Sequence, residues 1–514
     1  MSYRKGDVAG LLQVLDLGSS VAEQDDLLES ARVETSVFAD LLADRVDLVP
    51  GTKGSGKSAL YRIFVDFLPG LLLRDRKVVV AHGVQSHGDN VFHVFNDRFD
   101  RLTEGQFVDF WCIYLVSLAH EQFVKNPVYA PYLGNCGPEV EAFRDACVAA
   151  RIPEIQADRS LRDILEWALN ALARLRPRGA VVTPDGVRYE LGLGLVDDSG
   201  PETPSAEEVG AEPLLPRFVA DVKETLEAVL SKADLSLWLM VDRLDEIFPR
   251  RSDLETRALR GLLRTLRIFE SRQIRVKVFL RDDILEQITS GGRGFAALTH
   301  VTARQADRLA WSQDGILNLV VRRLFASSTL RDALQVDPDR LAASPDYRSE
   351  CFYRVFPETV YSPPNQSPTL RWIYSHTTDG RGVVTPRDVI DLLTKAKQRQ
   401  QDEFQDDPDG ETDVIIGSGA IRYGLAEMSR RKRDTVLKAE FEHLWPHIGR
   451  LVGGKTEYSE RALQQLFGRR SALVIDDLVA IGLFAVNRHR DGSTTYTVPF
   501  LYRQGLELTQ GRQD

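Results

Sequence analysis

Cysteine is scarce in this sequence: 514 residues carry four, Cys112, Cys136, Cys147 and Cys351. None stands in a CxxC spacing or near a histidine partner, so neither a zinc site nor a disulfide framework is expected. Free thiols in a reducing cytosol are the expectation. Long apolar runs are also missing. The best candidate, residues 107–119, is too short to span a bilayer and contains Asp109. It reads as a buried helix. Met1 to Leu17 lacks a basic region followed by an apolar block, so no signal peptide is expected. The chain is therefore expected to be soluble and cytoplasmic, with no membrane partner. Excess positive charge is absent as well; the formal net charge is -10. That argues against non-specific nucleic-acid binding as the main task, while allowing a local basic patch.

What is present is ordinary in bulk. Apolar residues make up 43% and charged residues 27%, enough for a sizeable core in two to four domains. Residues 19–42 read as one or two short helices. Val46 to Val49 is a short apolar strand, and residues 59–73 have helical apolar spacing. Lys77 to Ala81 is a second strand. Residues 102–124, 139–150 and 161–175 look helical. Residues 180–195 look like a hairpin turning at Pro184-Asp185-Gly186. Residues 196–216 carry six acids and no bases and read as a loop. Leu214 to Leu230 is helical, Leu235 to Val241 a very apolar strand, Leu254 to Glu270 an amphipathic helix and Val276 to Leu280 a strand. Ile284 begins another helix. This alternation implies a mostly parallel sheet covered on both faces. Beyond residue 310 helices dominate, at 315–325, 369–376 and 387–400. Residues 402–413 contain seven acids and read as a solvated linker or loop.

One run carries strong chemistry. Gly51-Thr52-Lys53-Gly54-Ser55-Gly56-Lys57-Ser58 fits the phosphate-binding pattern G-x-x-x-x-G-K-[ST] without departure, between a strand and a helix. Glycines let the backbone curl so that successive N–H groups face phosphate oxygens. The helix beginning near Lys57 adds its positive end. Residues Gly51 through Ser58, with Ala59, are thus expected to bind ATP. Lys57 would reach the β- and γ-phosphates and the Ser58 hydroxyl would ligate Mg²⁺.

Three further segments fit the same chemistry. The strand 237–241 runs into Asp242-Arg243-Leu244-Asp245-Glu246, placing a carboxylate at the sheet's C-terminal edge. Asp242 would hold Mg²⁺ through water, while Glu246, with Asp245, would orient and deprotonate an attacking water. The alternative is an acidic helix start favoured by the dipole. Phe279-Leu280-Arg281 ends the next strand, where Arg281 could contact a γ-phosphate or instead pair with Asp282, Asp283 or Glu286. In Thr385-Pro386-Arg387-Asp388, Arg387 sits in a first helical turn and opposes the dipole. A phosphate would compensate it; so would Asp388. His82, His87 and His93 cluster but match no zinc spacing, and read as a polar loop.

These pieces, in this order, resemble the AAA+ and STAND groups of P-loop ATPases. Asp242-x-x-Asp245-Glu246 is similar to the STAND Walker B ending. Arg281 resembles a strand-end sensor, and Pro386-Arg387 a sensor-2 arginine of an AAA+ lid. The nearest likeness is to stand-alone bacterial P-loop ATPases with a KGSGKSAL loop, here Lys53 to Leu60, an FLR-D-I segment at 279–284 and a PRD helix at 386–388. Some of these occur with antiphage-defence genes. The resemblance implies an α/β, parallel-sheet P-loop NTPase of the ASCE/AAA+ kind with a helical lid. Its parts would be a helical lead-in over 1–45, an NTPase domain over 46–310 with a helical insertion near 100–215, a lid over 311–413 and a winged-helix-like unit over 414–514. Two features depart from the pattern. Ser58 and Asp242 stand 184 positions apart, long for AAA+, and KAP-type insertions at that place carry membrane helices that this one lacks. No arginine finger declares itself among Arg250, Arg251 and Arg293, which leaves a homo-oligomer open.

The last hundred residues look like a winged helix, with helices at 460–467 and 471–481 and strands at 484–486 and 495–498 around Asp491-Gly492. Origin-recognition ATPases carry such a unit after the lid. Here Asp476 and Asp477 in the second helix repel phosphate, whereas Arg469, Arg470, Arg488, His489, Arg490 and the cluster Arg430 to Arg433 attract it. A protein partner is therefore favoured over DNA. The implied function is an ATP-binding, slowly hydrolysing signalling switch acting through a partner effector in bacterial stress or antiphage defence. The alternatives are a DNA-associated AAA+ loader or remodeller and a non-hydrolysing scaffold.

Overall fold

Leu235–Val241 carries no charge, and all seven of its side chains are buried. Such a strand belongs in the middle of a parallel sheet covered on both faces. The structure, a computed structural model, describes residues 3–68, 72–73, 76–83, 102–150, 175–177, 180–182, 188–190, 193–195, 214–244, 252–290, 298–361 and 367–513. Its main sheet has five strands: β1 (Leu48–Gly51), β2 (Leu72–Leu73), β3 (Arg76–Gly83), β4 (Leu235–Val241) and β5 (Ile274–Arg281). Their order is β1-β5-β4-β3-β2. Strands β1, β5, β4 and β3 are parallel, and β2 closes the edge antiparallel to β3. This is an α/β fold built on a mostly parallel sheet.

The chain divides into two compact units. One comprises residues 36–51 and 60–308, the other residues 1–35, 52–59 and 309–514.

The first unit holds the sheet. The helix Glu104–Ala119 starts on a capping box, in which Thr103 and Gln106 satisfy each other's backbone N–H groups. It packs on the helix Asp253–Ile268, where Trp111 Nε1 donates to the Ala258 carbonyl at 2.8 Å. Gly261 permits that approach, because a Cβ there would stand 2.7 Å from the Cβ of Phe107. Phe107, Trp111, Leu237, Leu259 and Val276 share one core. At the start of β1, fully buried Lys277 pairs with Asp44 and Asp47, and Arg304 pairs with both as well. The strand expected at Val46 to Val49 therefore begins two residues later, since Asp47 serves this charge clamp. The expected hairpin is present as Ala180–Val182 against Arg188–Glu190; its turn lies outside the described residues. So do residues 161–174 of the expected third helix and residues 196–213 of the acidic loop.

In the second unit, helices Gln313–Leu324, Pro345–Val355, Thr369–His376, Pro386–Asp406 and Ser418–Lys432 share one core with the N-terminal helix Lys5–Val14. The sequence reading places individual helices only from residue 19 within its 1–45 helical lead-in, and this helix precedes them. The C-terminal elements are β6 (Lys455–Ser459), the helices Glu460–Phe467 and Ser471–Ala480, β7 (Ala485–Arg488), β8 (Thr494–Thr497) and β9 (Thr509–Gln513). They form a sheet of order β7-β8-β6-β9. Leu463, Leu478 and Leu501 belong to the same core as Val8 and Leu393, so no separate core begins at residue 414.

The acid-rich stretch 402–413, expected as a solvated linker or loop, keeps most of its acids exposed but is in part structured. The helix runs on through Asp406, and Glu411–Thr412 pairs antiparallel with Tyr3–Arg4. Lys5 also salt-bridges Asp407, while Glu403 pairs locally with Arg399. Among the described residues, no helix is long and apolar enough to cross a membrane.

Candidate nucleotide site

The phosphate-loop residues 52–59 fall in the second unit. Gly54 has φ +83° and Gly56 φ +102°, conformations that only glycine takes without strain. The Ser55 N–H donates to the Thr52 carbonyl at 3.2 Å, and Lys57 Nζ donates to the same carbonyl at 2.9 Å. Thr52 and Ser55 are buried, yet Thr52 Oγ1 and Ser55 Oγ find no hydrogen-bond partner. Partnerless buried hydroxyls are rare, and a ligand with acceptor oxygens accounts for them. The loop residues thus fit a phosphate.

Arg387 lies against this loop. A Cβ on Gly54 would stand 3.1 Å from Arg387 Cβ and 3.3 Å from Thr385 Oγ1. Thr385 caps the helix Pro386–Asp406 by accepting from the Asp388 N–H, with Pro386 in the first turn. The sequence offered Asp388 as a partner for Arg387. The structure spends that carboxylate on the Thr385 hydroxyl and on Lys432 instead. Arg387 Nε donates to the Ser20 carbonyl at 3.3 Å, and no carboxylate of the described residues salt-bridges it.

Two contacts here carry no sequence signal. Trp311 Nε1 donates to the Ser55 carbonyl at 2.7 Å. Lys53 forms an ion pair with Glu440, whose side chain is 5% exposed. Both partners lie hundreds of positions from the loop, and no spacing rule reaches them.

The strand ends belong to the first unit. Gly51 ends β1 directly beside Arg281, the last residue of β5. Val241 ends β4 beside Val278, so Asp242 follows at the same C-terminal edge. Asp242 is 3% exposed. Arg243 after it has φ +59°, a left-handed backbone that a non-glycine residue adopts at a cost. Tyr61 lies within electrostatic reach of Asp242: burial, then the Asp242 charge, push the pKa of its hydroxyl up. That hydroxyl donates to the Gly83 carbonyl at the end of β3, at 3.3 Å. Arg281 makes a two-point contact with Asp283, from Nε at 3.0 Å and from Nη2 at 2.7 Å, the pairing the sequence set beside a phosphate role. Asp282 pairs with Arg308.

Asp245, Glu246, Arg250, Arg251, Arg293, His87 and His93 lie outside the described residues. The His82 backbone is held on both sides by the Gln122 amide, at 2.8 and 2.6 Å. Among the described residues, no group of three His, Cys, Asp or Glu side chains is placed to hold a metal ion.

No family model matches the chain, and no curated protein matches it. Among solved structures it is similar to the Orc1 protein of Aeropyrum pernix, determined in complex with DNA. The identity is 12%, with 95% of each chain covered and a TM-score of 0.35.

Proposed function

We propose that the chain binds ATP with Mg²⁺ and hydrolyses it slowly, as a nucleotide-controlled switch. One observation carries this proposal: the Arg387 side chain, whose Cβ and Cδ lie against Gly54 of the glycine loop, has no carboxylate partner among the described residues. A polyanion suits a loop that combines such a cation with two partnerless hydroxyls, Thr52 Oγ1 and Ser55 Oγ. Lys57 would neutralise the β- and γ-phosphates, exchanging its bond to the Thr52 carbonyl for phosphate oxygens. Ser58 and Asp242 would hold Mg²⁺, which supplies neutralisation of the triphosphate charge. Glu246 and Asp245 would orient and deprotonate the attacking water. Arg281 would read the γ-phosphate in exchange for Asp283. Arg387 would tie the helix Pro386–Asp406 to nucleotide occupancy, and loss of the γ-phosphate would release it. A protein partner is favoured by the acids Asp476 and Asp477 of the C-terminal unit, and a role in bacterial stress or antiphage defence rests on the sequence resemblance alone.

The test is thermal. ATP with Mg²⁺ should raise the melting midpoint of the parent chain, because a ligand of the native state stabilises it. Lys57→Ala should abolish the rise. An undiminished rise in that variant would falsify the loop as the phosphate site. Glu246→Gln should trap ATP; a variant that behaves like the parent points to a non-hydrolysing scaffold.

A DNA-associated ATPase is the second reading. Arg488 at the end of β7, and His489 and Arg490 after it, stand exposed where a wing would be. Against it, Asp476 and Asp477 are exposed on the helix Ser471–Ala480. Duplex binding that weakens steeply between two salt concentrations, with DNA-stimulated hydrolysis, would favour it.

A further inference from the structure

We infer, resting on the nucleotide reading above, that Trp311 is a positioning residue of the phosphate loop. Its indole N–H holds the Ser55 carbonyl outward and thereby aims the Gly56 N–H at the phosphate.

The loop has a weak point at the peptide joining Ser55 to Gly56. Flipping a peptide plane changes ψ on one side and φ on the other. Gly56 takes either sign of φ at little cost, so sterics alone do not fix this plane. A flipped plane would turn a carbonyl toward the phosphate where an N–H is needed, replacing attraction by repulsion.

Trp311 fixes the plane. In a trans peptide the C=O and N–H point in opposite directions. Trp311 Nε1 takes the Ser55 oxygen at 2.7 Å, so the Gly56 N–H points to the other side. The indole is itself held. Its Cζ2 lies 3.9 Å from the Cβ position of Gly56, and its Cε3 lies 3.4 Å from that of Gly315. Both are ordinary van der Waals distances, so the ring lies alongside both glycines. The Trp311 carbonyl accepts the Tyr374 hydroxyl at 3.0 Å, tying the residue to the helix Thr369–His376. The Trp311 backbone is thus anchored, and its indole N–H meets the Ser55 carbonyl.

The experiment separates the hydrogen bond from the packing. Trp311 is replaced, through nonsense suppression, by 3-benzothienylalanine, which has the same shape with sulfur in place of N–H. Trp311→Phe is made beside it. Affinity for N-methylanthraniloyl-ATP with Mg²⁺ is measured in the full-length chain, along with the nucleotide-free melting midpoint. The isostere should weaken binding about three- to tenfold, the range of one lost hydrogen bond, with its midpoint unchanged. A purely structural role would move the midpoint and spare the affinity. Parental affinity in the isostere overturns the inference and leaves the nucleotide site standing. If the parent chain binds no nucleotide, the site itself falls and the inference with it. Should Trp311→Phe fold poorly, Tyr374→Phe, which unties Trp311 from its helix, is expected to weaken binding in the same direction by a smaller factor.

Discussion

Lys53 and Glu440 form an ion pair that joins the phosphate loop to the segment between the helix Ser418–Lys432 and β6. Glu440 is nearly buried, and it sets a negative charge against a loop suited to a polyanion. Removing that charge should favour nucleotide. Glu440→Gln is expected to tighten ATP binding about two- to fivefold, a modest gain because Lys53 is 42% exposed and screened by solvent. Calorimetric titration of parent and variant decides it, and equal affinities would reject the idea.

Arg387 gives a sharper expectation. It contacts the loop at Gly54 and has no carboxylate partner among the described residues. Arg387→Ala should weaken ATP binding about ten- to hundredfold, the cost of losing hydrogen bonds to a charged group. ADP should lose less if the guanidinium reaches toward the γ-phosphate. Dissociation constants for both nucleotides are the readout, and an equal loss for both would place Arg387 elsewhere along the phosphates.

Gly261 serves as a contrast. A methyl group there meets Phe107 at 2.7 Å and the Phe107 backbone carbonyl carbon at 3.0 Å. The helices Glu104–Ala119 and Asp253–Ile268 would have to separate. Gly261→Ala should therefore cost about 1–3 kcal/mol of stability, read from urea unfolding. Its nucleotide affinity should stay parental, since the contact lies in the helix interface. A large affinity loss with little destabilisation would contradict that assignment.

His376 predicts a pH dependence. Its ring stacks between Trp372 at 3.9 Å and Phe500 at 4.0 Å, and its Nδ1 lies 2.8 Å from the Trp372 carbonyl. Burial, aided by the Arg503 charge and opposed by that carbonyl, brings its pKa down to about 4. The unfolded chain takes up its proton near the ordinary value of about 6.5. Between those values the unfolded state binds more protons, so stability falls with acid. The contribution is complete above about pH 6.5 and is lost as pH drops toward 4. His376→Phe keeps the stack and should flatten the stability profile over that window. An identical slope in the variant would assign the pH dependence to other groups.

Much of the sheet was legible because burial on both faces leaves a plain trace. Leu235–Val241 appears where its apolar run ends, and Thr369–His376 has the bounds its periodicity suggests. The strand before the loop is less legible. Pro50 and Gly51 look like loop residues, and only pairing with β5 draws them into the sheet. The structured part of 402–413 escaped for a related reason, since Tyr3 and Arg4, which pair with its strand, and Lys5, which pairs with Asp407, lie at the other end of the sequence.

By itself the sequence determined the glycine loop, with its lysine and serine, and the strand ends that deliver Asp242 and Arg281 to one edge. Those are local matters of backbone freedom and alternating burial, encoded within a few residues. Only the tertiary structure decided that Arg281 meets Asp283, that Asp388 is taken by Lys432, and that Arg387 rests on Gly54. It also decided that Trp311 reaches Ser55 across 256 positions. Which donor meets which acceptor depends on how the chain closes on itself, and that closure is set by the packing of whole helices.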